Sequence, residues 1–224
     1  MTHTPEPTPR PFAALTLAVV LAGGLAVSMA PPTAPASAQT AVRNAGAEDF
    51  VQSRAKVGLS ILNDNGRPDA DKSRLFRAFV DQVADVPRIT NFVLGKYGRS
   101  ITPAQREQFA AVFHNYATNV YESRLDEYKG SSLKVTGSIS RSPTDVVVNS
   151  MMSGGKLDKP ELVAWRVINT SGTVWKVVDV QVKGVWLAIT QQQDFVSTID
   201  NAGGNIDVLI AQLQRQIKAD SVKS

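Results

Sequence analysis

The 224-residue chain carries 24 basic and 20 acidic residues, a formal net charge of +4, and 43% of its residues are hydrophobic. No block of five or six like charges occurs, so the sequence lacks the electrostatic footprint of a nucleic-acid-binding protein. Cysteine is absent. This excludes disulfides, thiolate catalysis, cysteine-ligated zinc and a lipidated N-terminal cysteine.

The N-terminal stretch has the three parts of a secretory leader. A lone Arg10 precedes an apolar run over residues 12–30, and a Pro- and Ala-rich stretch ends in an A-S-A site at 36–38. This order predicts a signal peptide that is cleaved before Gln39. The alternative is an uncleaved anchor, since about 20 apolar residues span a bilayer. The A-S-A site and two glycines within the run favour cleavage and export.

The remainder of the chain has the size of one domain. We expect the leader to occupy residues 1–38 and a disordered N-terminus to occupy residues 39–46. A single folded domain is then expected at 47–217, with a flexible tail at 218–224.

Apolar periodicity and capping signals predict helices on both sides of a strand-rich region. The clearest signal is Thr102-Pro103-Ala104-Gln105, where Thr102 suits the cap, Pro103 the first helical position and Gln105 a capping box. The predicted helices span residues 47–62, 71–84, 88–94, 102–128, 186–199 and 205–217.

Four runs rich in Val, Ile, Thr and Trp lie between residues 133 and 185, separated by turn-forming clusters. This pattern predicts an antiparallel meander. Strict alternation leaves neither side of the run 174–182 cleanly polar, so the sheet is expected to be covered on both faces or to wrap around something. Helices segregated from strands indicate an α+β fold, a four-stranded antiparallel sheet covered by N- and C-terminal helices.

Candidate catalytic residues are few. The motifs GxSxG and HExxH and a glycine-rich phosphate loop are absent from the sequence. His114, the one histidine after the leader, is expected at the surface or its boundary. Asp179 lies in the centre of an apolar strand, where a buried carboxylate needs a partner or a shifted pKa. A structural role, with Arg88 or Arg166 as partner, is favoured over a role as catalytic base.

Two motifs resemble one known family. FVLGKY at residues 92–97, followed by TPAQRE at 102–107, resembles the FVLGxY…TPxQRE signature of the MlaC, or toluene-tolerance, family. WKVVDV at 175–180 with Gly-Val at 184–185 is similar to that family's WxxxDV…GVS segment. The resemblance covers about residues 47–217.

The resemblance implies a nuclear-transport-factor-like α+β fold, in which a curved sheet and helices enclose an apolar cavity for acyl tails. It implies a monomeric periplasmic phospholipid carrier with no enzymatic activity and no cofactor or metal. Its partners would be an outer-membrane lipoprotein complex and an inner-membrane ABC transporter with an MCE-domain ring. The alternatives are a hopanoid carrier of the same family, a small exported isomerase-like enzyme and a non-catalytic adaptor.

The sequence departs from the family pattern at three places. Gly98 stands where an aromatic residue often follows the signature tyrosine, Trp186 replaces a small residue, and Gln191-Gln192 replaces a frequent Tyr-Arg. The last two departures lie near the expected mouth of the cavity, so they bear on lipid specificity more than on fold.

The candidate lipid-binding residues are apolar side chains that alternation turns from the sheet towards the helices, together with apolar helix residues. They are Phe92, Leu94, Phe109, Phe113, Tyr116, Val146, Val148, Val163, Trp165, Val167, Val178, Val180, Val182 and Val185. Each has the alternative role of ordinary core. Burying two acyl tails at about 0.8 kcal/mol per methylene contributes well over ~10 kcal/mol, so specific headgroup contacts are not required and headgroup selectivity is expected to be slight.

Overall fold

A five-stranded antiparallel sheet in the order β1-β2-β3-β4-β5 forms the centre of the protein. The computed structural model describes residues 43–122 and 125–221. The strands are β1 (Ser131–Ser142), β2 (Asp145–Gly154), β3 (Glu161–Asn169), β4 (Trp175–Val182) and β5 (Val185–Trp186). The predicted antiparallel meander is confirmed. The sequence analysis missed β5, which has two residues and pairs back onto the end of β4.

The helices flank this sheet in the chain as predicted. They are α1 (Ala45–Leu62), α2 (Asp69–Val83), α3 (Val86–Val93), α4 (Pro103–Glu122), α5 (Leu187–Asn201) and α6 (Ile206–Ser221), with short 3₁₀ helices at Gly95–Arg99 and Leu125–Tyr128. The capping box is present, because the Gln105 N–H donates to Thr102 Oγ1 at 3.2 Å and the Thr102 N–H donates to Gln105 Oε1 at 3.1 Å. Among the described helices, none combines the length and the apolar character that crossing a membrane requires.

The start of the domain differs from the prediction of a disordered segment up to residue 46. Asn44 caps α1 by accepting from the Ala47 N–H at 3.0 Å, and its own N–H donates to Ser138 Oγ of β1 at 2.7 Å. The ordered chain therefore reaches back to at least Arg43. The leader, its cleavage site and the last three residues lie outside the described residues.

A β-bulge interrupts the alternation of β4. Arg166 pairs with Asp179, whereas the next residue of β3, Val167, pairs with Val177, which leaves Val178 as the extra residue. Strict alternation across this strand, on which the sequence analysis relied, is therefore wrong. One face of β4 carries Trp175, Val177, Val180 and Val182.

The face of the sheet that α1 covers, here called the inner face, holds two apolar clusters that we call the sheet core. Val51 of α1 packs there with Val146, Val148 and Val167, of which the three strand residues are fully buried. Leu133, Met152 and Val163 form the second cluster beneath the later turns of α1. The inner face therefore owes its cover to the N-terminal helix.

A second core, the helical core, joins α3, α4, α5 and α6. Phe109 and Phe113 stack at 5.7 Å, and Phe195 of α5 meets their edges at 5.9 and 5.8 Å. Offset and edge-on ring contacts of this kind stabilise a core beyond the area that they bury. The other buried members are Val93, Leu94, Ile199, Ile206, Leu209, Ile210 and Leu213.

Candidate functional site

The two cores share no buried residue within the described part of the chain. On the sheet side, Trp165 and Val180 lie on neighbouring strands at the centre of the inner face, yet they are half-buried while Val148 beside them is fully buried. On the helical side, Phe92 and Tyr116 are also half-buried. Each core therefore ends in apolar side chains that protein atoms do not fully cover.

Trp165 is held in a fixed orientation by Ser150. The Ser150 hydroxyl is fully buried, donates to the Val163 carbonyl at 2.8 Å and accepts from the indole Nε1–H of Trp165 at 3.0 Å. A buried indole N–H usually needs such a partner. With its polar group satisfied on the strand, the ring presents an apolar surface on the inner face.

The predicted lipid-binding residues divide by burial into three groups. Seven are buried members of the cores, namely Leu94, Phe109, Phe113, Val146, Val148, Val163 and Val167. Five are half-buried at the margins of the cores, namely Phe92, Tyr116, Trp165, Val180 and Val182. The half-buried group has surface left for a ligand, whereas the buried group has little.

The remaining two residues fall outside both groups. Val178, the bulge residue, is buried with 7% of its surface exposed but belongs to neither core. Val185 lies in β5 and is 47% exposed. Their assignment to the lipid site stays a prediction.

Sequence reasoning left Phe50 of α1 and Phe79 of α2 out of the candidate site. Both are half-buried and pack against the sheet core beside Trp165 and Val180. The sequence shows the apolar stripes of both helices. Because these helices precede the sheet and are available to cover it, their position was the signal that could have placed Phe50 and Phe79 at the site. The inner face needs a covering helix, and α1 with α2 supplies it.

Asp179 has a structural role at the start of α5. Its side chain is buried, and Oδ1 accepts from the Val180 and Ala188 N–H groups, both at 2.8 Å. Burial raises the pKa of this carboxyl, and the backbone N–H groups together with Arg166 offset part of that rise. Asp179 therefore accepts a hydrogen bond from the first turn of α5 in place of an N-cap side chain, because Trp186 at the cap position offers no side-chain hydrogen bond.

The expected arginine partners of Asp179 are engaged elsewhere. Arg166 holds Asp145 through two hydrogen bonds, at 3.1 and 2.8 Å, and Arg88 pairs with Asp85 at 3.0 Å. His114 lies at the surface boundary as predicted, and its Nε2 is 2.8 Å from Asp81 Oδ1. Among the described residues, no group of three or more His, Asp or Glu side chains is placed to hold a metal ion.

The residues of the FVLGKY signature tie the helical core together. The Tyr97 hydroxyl donates to Asp200 at the end of α5, and Lys96 Nζ lies 2.7 Å from the same Asp200 carboxylate. Gln192 of α5 donates to the Phe92 carbonyl at 2.6 Å. Gly95, at φ +53°, lies so close to α5 that a Cβ would be 2.7 Å from Val196. The signature therefore marks how α3 packs on α5.

Two of the residues that depart from the family pattern take part in the packing around α3. Gly98 is buried, its carbonyl accepts from Arg106, and a Cβ there would lie 3.2 Å from Asn91 Oδ1. Gln192 makes the bond to the Phe92 carbonyl. Trp186, the third, pairs with Gln181 in β5 and is half-buried.

These features define the class of the molecule as an α+β protein with an antiparallel curved sheet, flanking helices and a separate helical core. The family model described as "MlaC protein" matches residues 54–215, which is most of the chain. The chain therefore belongs to the MlaC family.

A curated relative and a solved structure agree with this assignment. The chain is 27% identical over 126 residues to the intermembrane phospholipid transport system binding protein MlaC of Haemophilus influenzae, and the match spans 55% of this chain and 58% of that relative. The fold matches that of the phospholipid-binding protein from Ralstonia solanacearum, solved in complex with a phospholipid at 1.53 Å, with a TM-score of 0.68 and 23% identity. That match covers 78% of this chain and 98% of the solved one.

Proposed function

We propose that the mature protein is a periplasmic phospholipid carrier, and that the acyl tails of the bound lipid lie between the inner face of the sheet and the helical core. The observation that carries this proposal is the incomplete burial of Trp165 and Val180 at the centre of the inner face. In a filled core, side chains at the centre of a covered sheet are close-packed on every side. Half-buried apolar groups at that place fit a ligand that completes the packing.

The chemistry of these surfaces suits acyl chains. Phe50, Phe79 and Trp165 edge the sheet core, and Phe92 and Tyr116 edge the helical core. Each methylene that is removed from water contributes about 0.8 kcal/mol, so a pair of tails binds tightly through apolar contact alone. The Haemophilus protein is named as the binding protein of an intermembrane phospholipid transport system, and the Ralstonia protein was solved with a bound phospholipid. Both support the same cargo here.

We further propose that the chain is exported, cleaved before Gln39, and works as a monomer between an outer-membrane lipoprotein complex and an inner-membrane MCE-domain transporter. Support comes from the leader-like residues 1–38 and from the membership of the family. Sequencing the N-terminus of protein released from the periplasm is expected to give Gln39. An intact apolar run 12–30 would contradict cleavage.

Lipid uptake from vesicles tests the carrier function. The mature protein is incubated with phospholipid vesicles, the vesicles are removed by centrifugation, and the lipid that stays with the protein is measured. We expect stoichiometric uptake by the wild type and little by Val180→Glu, because a carboxylate set against acyl chains is unfavourable by roughly 2–7 kcal/mol or more.

The matched control is Leu162→Glu. Leu162 lies on β3, where it pairs with Met151 on the opposite face, and it is 66% exposed. This variant is expected to take up lipid like the wild type. Equal uptake by folded Val180→Glu, or no uptake by the wild type, would contradict the proposal, and binding of a hopanoid in place of phospholipid would keep the mechanism but change the cargo.

A further inference from the structure

A polar cavity of about 280 Å³ lies at one end of the sheet. It is lined by Glu127, Lys156, Leu157, Asp158, Glu161 and Lys183. These residues come from the 3₁₀ helix before β1, the β2–β3 turn, the first position of β3 and the β4–β5 turn. Pockets for drug-sized ligands measure roughly 300–1,000 Å³, so this cavity suits a headgroup rather than a whole lipid.

The polar cavity continues the apolar inner face. Glu161 stands in the same alternating row as Val163 and Trp165, and its partner across the ladder is Met152 of the sheet core. At about 3.4 Å per residue, the Glu161 and Trp165 Cα atoms are about 14 Å apart along the strand. On β4, Lys183 directly follows Val182. One continuous surface thus runs from apolar to charged, as an amphiphilic ligand requires.

The carboxylate of Glu161 is incompletely hydrogen-bonded. Its side chain is 14% exposed; Oε1 lies 3.3 Å from Lys183 Nζ, but Oε2 is buried and has no hydrogen-bond partner in the described part of the chain. A buried carboxylate oxygen without a donor costs free energy. A ligand group with N–H donors would satisfy it.

The cations of the cavity suit a phosphate. Lys183 is 68% exposed on its side chain, and Lys156 forms no salt bridge with any of the described residues. Lys183 also adopts φ +52° in the two-residue turn with Gly184, a conformation that residues other than Gly, Asn and Asp rarely adopt.

Resting on the carrier function proposed above, we infer that this polar cavity binds the headgroup of the carried phospholipid and prefers a primary ammonium, as in phosphatidylethanolamine. The ammonium donates to Glu161 Oε2, and the phosphate lies between Lys156 and Lys183. A quaternary choline has no N–H to donate, and the uncharged glycerol of phosphatidylglycerol offers only neutral O–H donors, which make weaker hydrogen bonds to a carboxylate than an ammonium does. The headgroup selectivity is therefore expected to be higher than burial of the acyl tails alone would give.

Competition in mixed vesicles tests this inference. The mature protein is incubated with vesicles of equal parts phosphatidylethanolamine, phosphatidylcholine and phosphatidylglycerol with identical acyl chains. The bound lipid is then extracted, and the amount of each headgroup class is measured. We expect the wild type to enrich phosphatidylethanolamine over phosphatidylcholine by about tenfold or more, the ratio that one net hydrogen bond between charged groups gives.

Three variants sharpen the test. Glu161→Gln is expected to bind as much lipid in total but with the enrichment reduced to near the vesicle composition. Lys183→Gln removes a cation that faces the phosphate of every headgroup alike, so the total amount of bound lipid is expected to fall while the enrichment is kept. Glu107→Gln changes an exposed carboxylate on α4 that does not line the cavity, and it is expected to match the wild type.

The outcomes separate this inference from the carrier function. Lipid bound by the wild type at the vesicle composition, or full enrichment retained by Glu161→Gln, would overturn the headgroup site and leave the carrier standing. Loss of enrichment in Lys183→Gln would overturn it as well. A wild-type protein that takes up no lipid would overturn the carrier function and the headgroup site together.

Discussion

At the scale of single residues, Asp179 shows how one buried side chain sets the position of a helix. Its Oδ1 atom joins β4 to the first turn of α5 across the β4–β5 turn. We expect Asp179→Ala to lower the free energy of unfolding by about 1–3 kcal/mol, because the Ala188 N–H is left buried without an acceptor. Urea denaturation checks this, with Asp194→Ala on the exposed side of α5 as the control. Equal stability of the two variants would contradict the assigned role.

The ionisation of Asp179 gives a second prediction. Because burial raises the pKa of its carboxyl in the folded protein, the folded state binds a proton more readily than the unfolded state, whose pKa is about 3.9. Stability from this group therefore falls as pH rises through the raised pKa and is constant above it. Asp179→Asn keeps an acceptor oxygen without ionising. The unfolding free energy of the wild type relative to Asp179→Asn should decline with rising pH in that window, and a difference that is flat or increases would contradict it.

A substitution at Val185 tests whether this residue lies at the mouth of the lipid site. It follows the β4–β5 turn and is 47% exposed, so Val185→Glu is expected to fold with little change in stability. If Val185 lies against the lipid, the new charge should lower the amount of lipid that co-purifies. Val208→Glu on α6, where Val208 is 42% exposed, is the matched control. Equal lipid content in the two folded variants would show that Val185 is not at the site.

At the scale of elements, α1 protects the free edge of the sheet. Gln52 donates to the Leu133 carbonyl at 3.0 Å and accepts from the Val135 N–H at 2.9 Å, so its amide stands in for a neighbouring strand on β1. Exposed edge strands invite pairing with other chains. We expect Gln52→Ala to cost about 0.5–1.5 kcal/mol of stability and to promote aggregation on heating. Gln108→Ala, on the exposed face of α4, should do neither. Light scattering during a thermal ramp compares them, and identical curves would contradict edge protection.

The elements also show what the sequence could and could not predict. Apolar spacing and the capping box at Thr102 identified the helices, and β-branched runs identified the four long strands, because these signals are local. The bulge at Val178 and the short strand β5 depend on how β3 and β4 pair, which no local pattern encodes. Strict alternation therefore fails across β4 at Val178, whereas in β2 and β3, which have no bulge between them, it placed Val148 and Trp165 on the inner face.

At the scale of the whole molecule, the protein has two cores that share no buried residue among those described. The sequence predicted the apolar residues of both, but it could not tell filled core from open surface, since Phe109 and Trp165 are equally apolar. The fold separates them: Phe109 is fully buried against other rings, while Trp165 is half-buried on the inner face. The family assignment rests on the model match over residues 54–215. This range includes FVLGKY, whose described contacts hold α3 to α5.

Native mass spectrometry of the intact mature protein, purified without detergent, tests the carrier function most directly. We predict a monomer whose mass exceeds that of the polypeptide by one glycerophospholipid, and a fragment that identifies this lipid when the complex is activated. The increment should be lost in Val180→Glu and kept in Leu162→Glu. A wild-type monomer at the bare polypeptide mass, which also gains no lipid after incubation with vesicles, would contradict the proposal that the space between the two cores carries phospholipid.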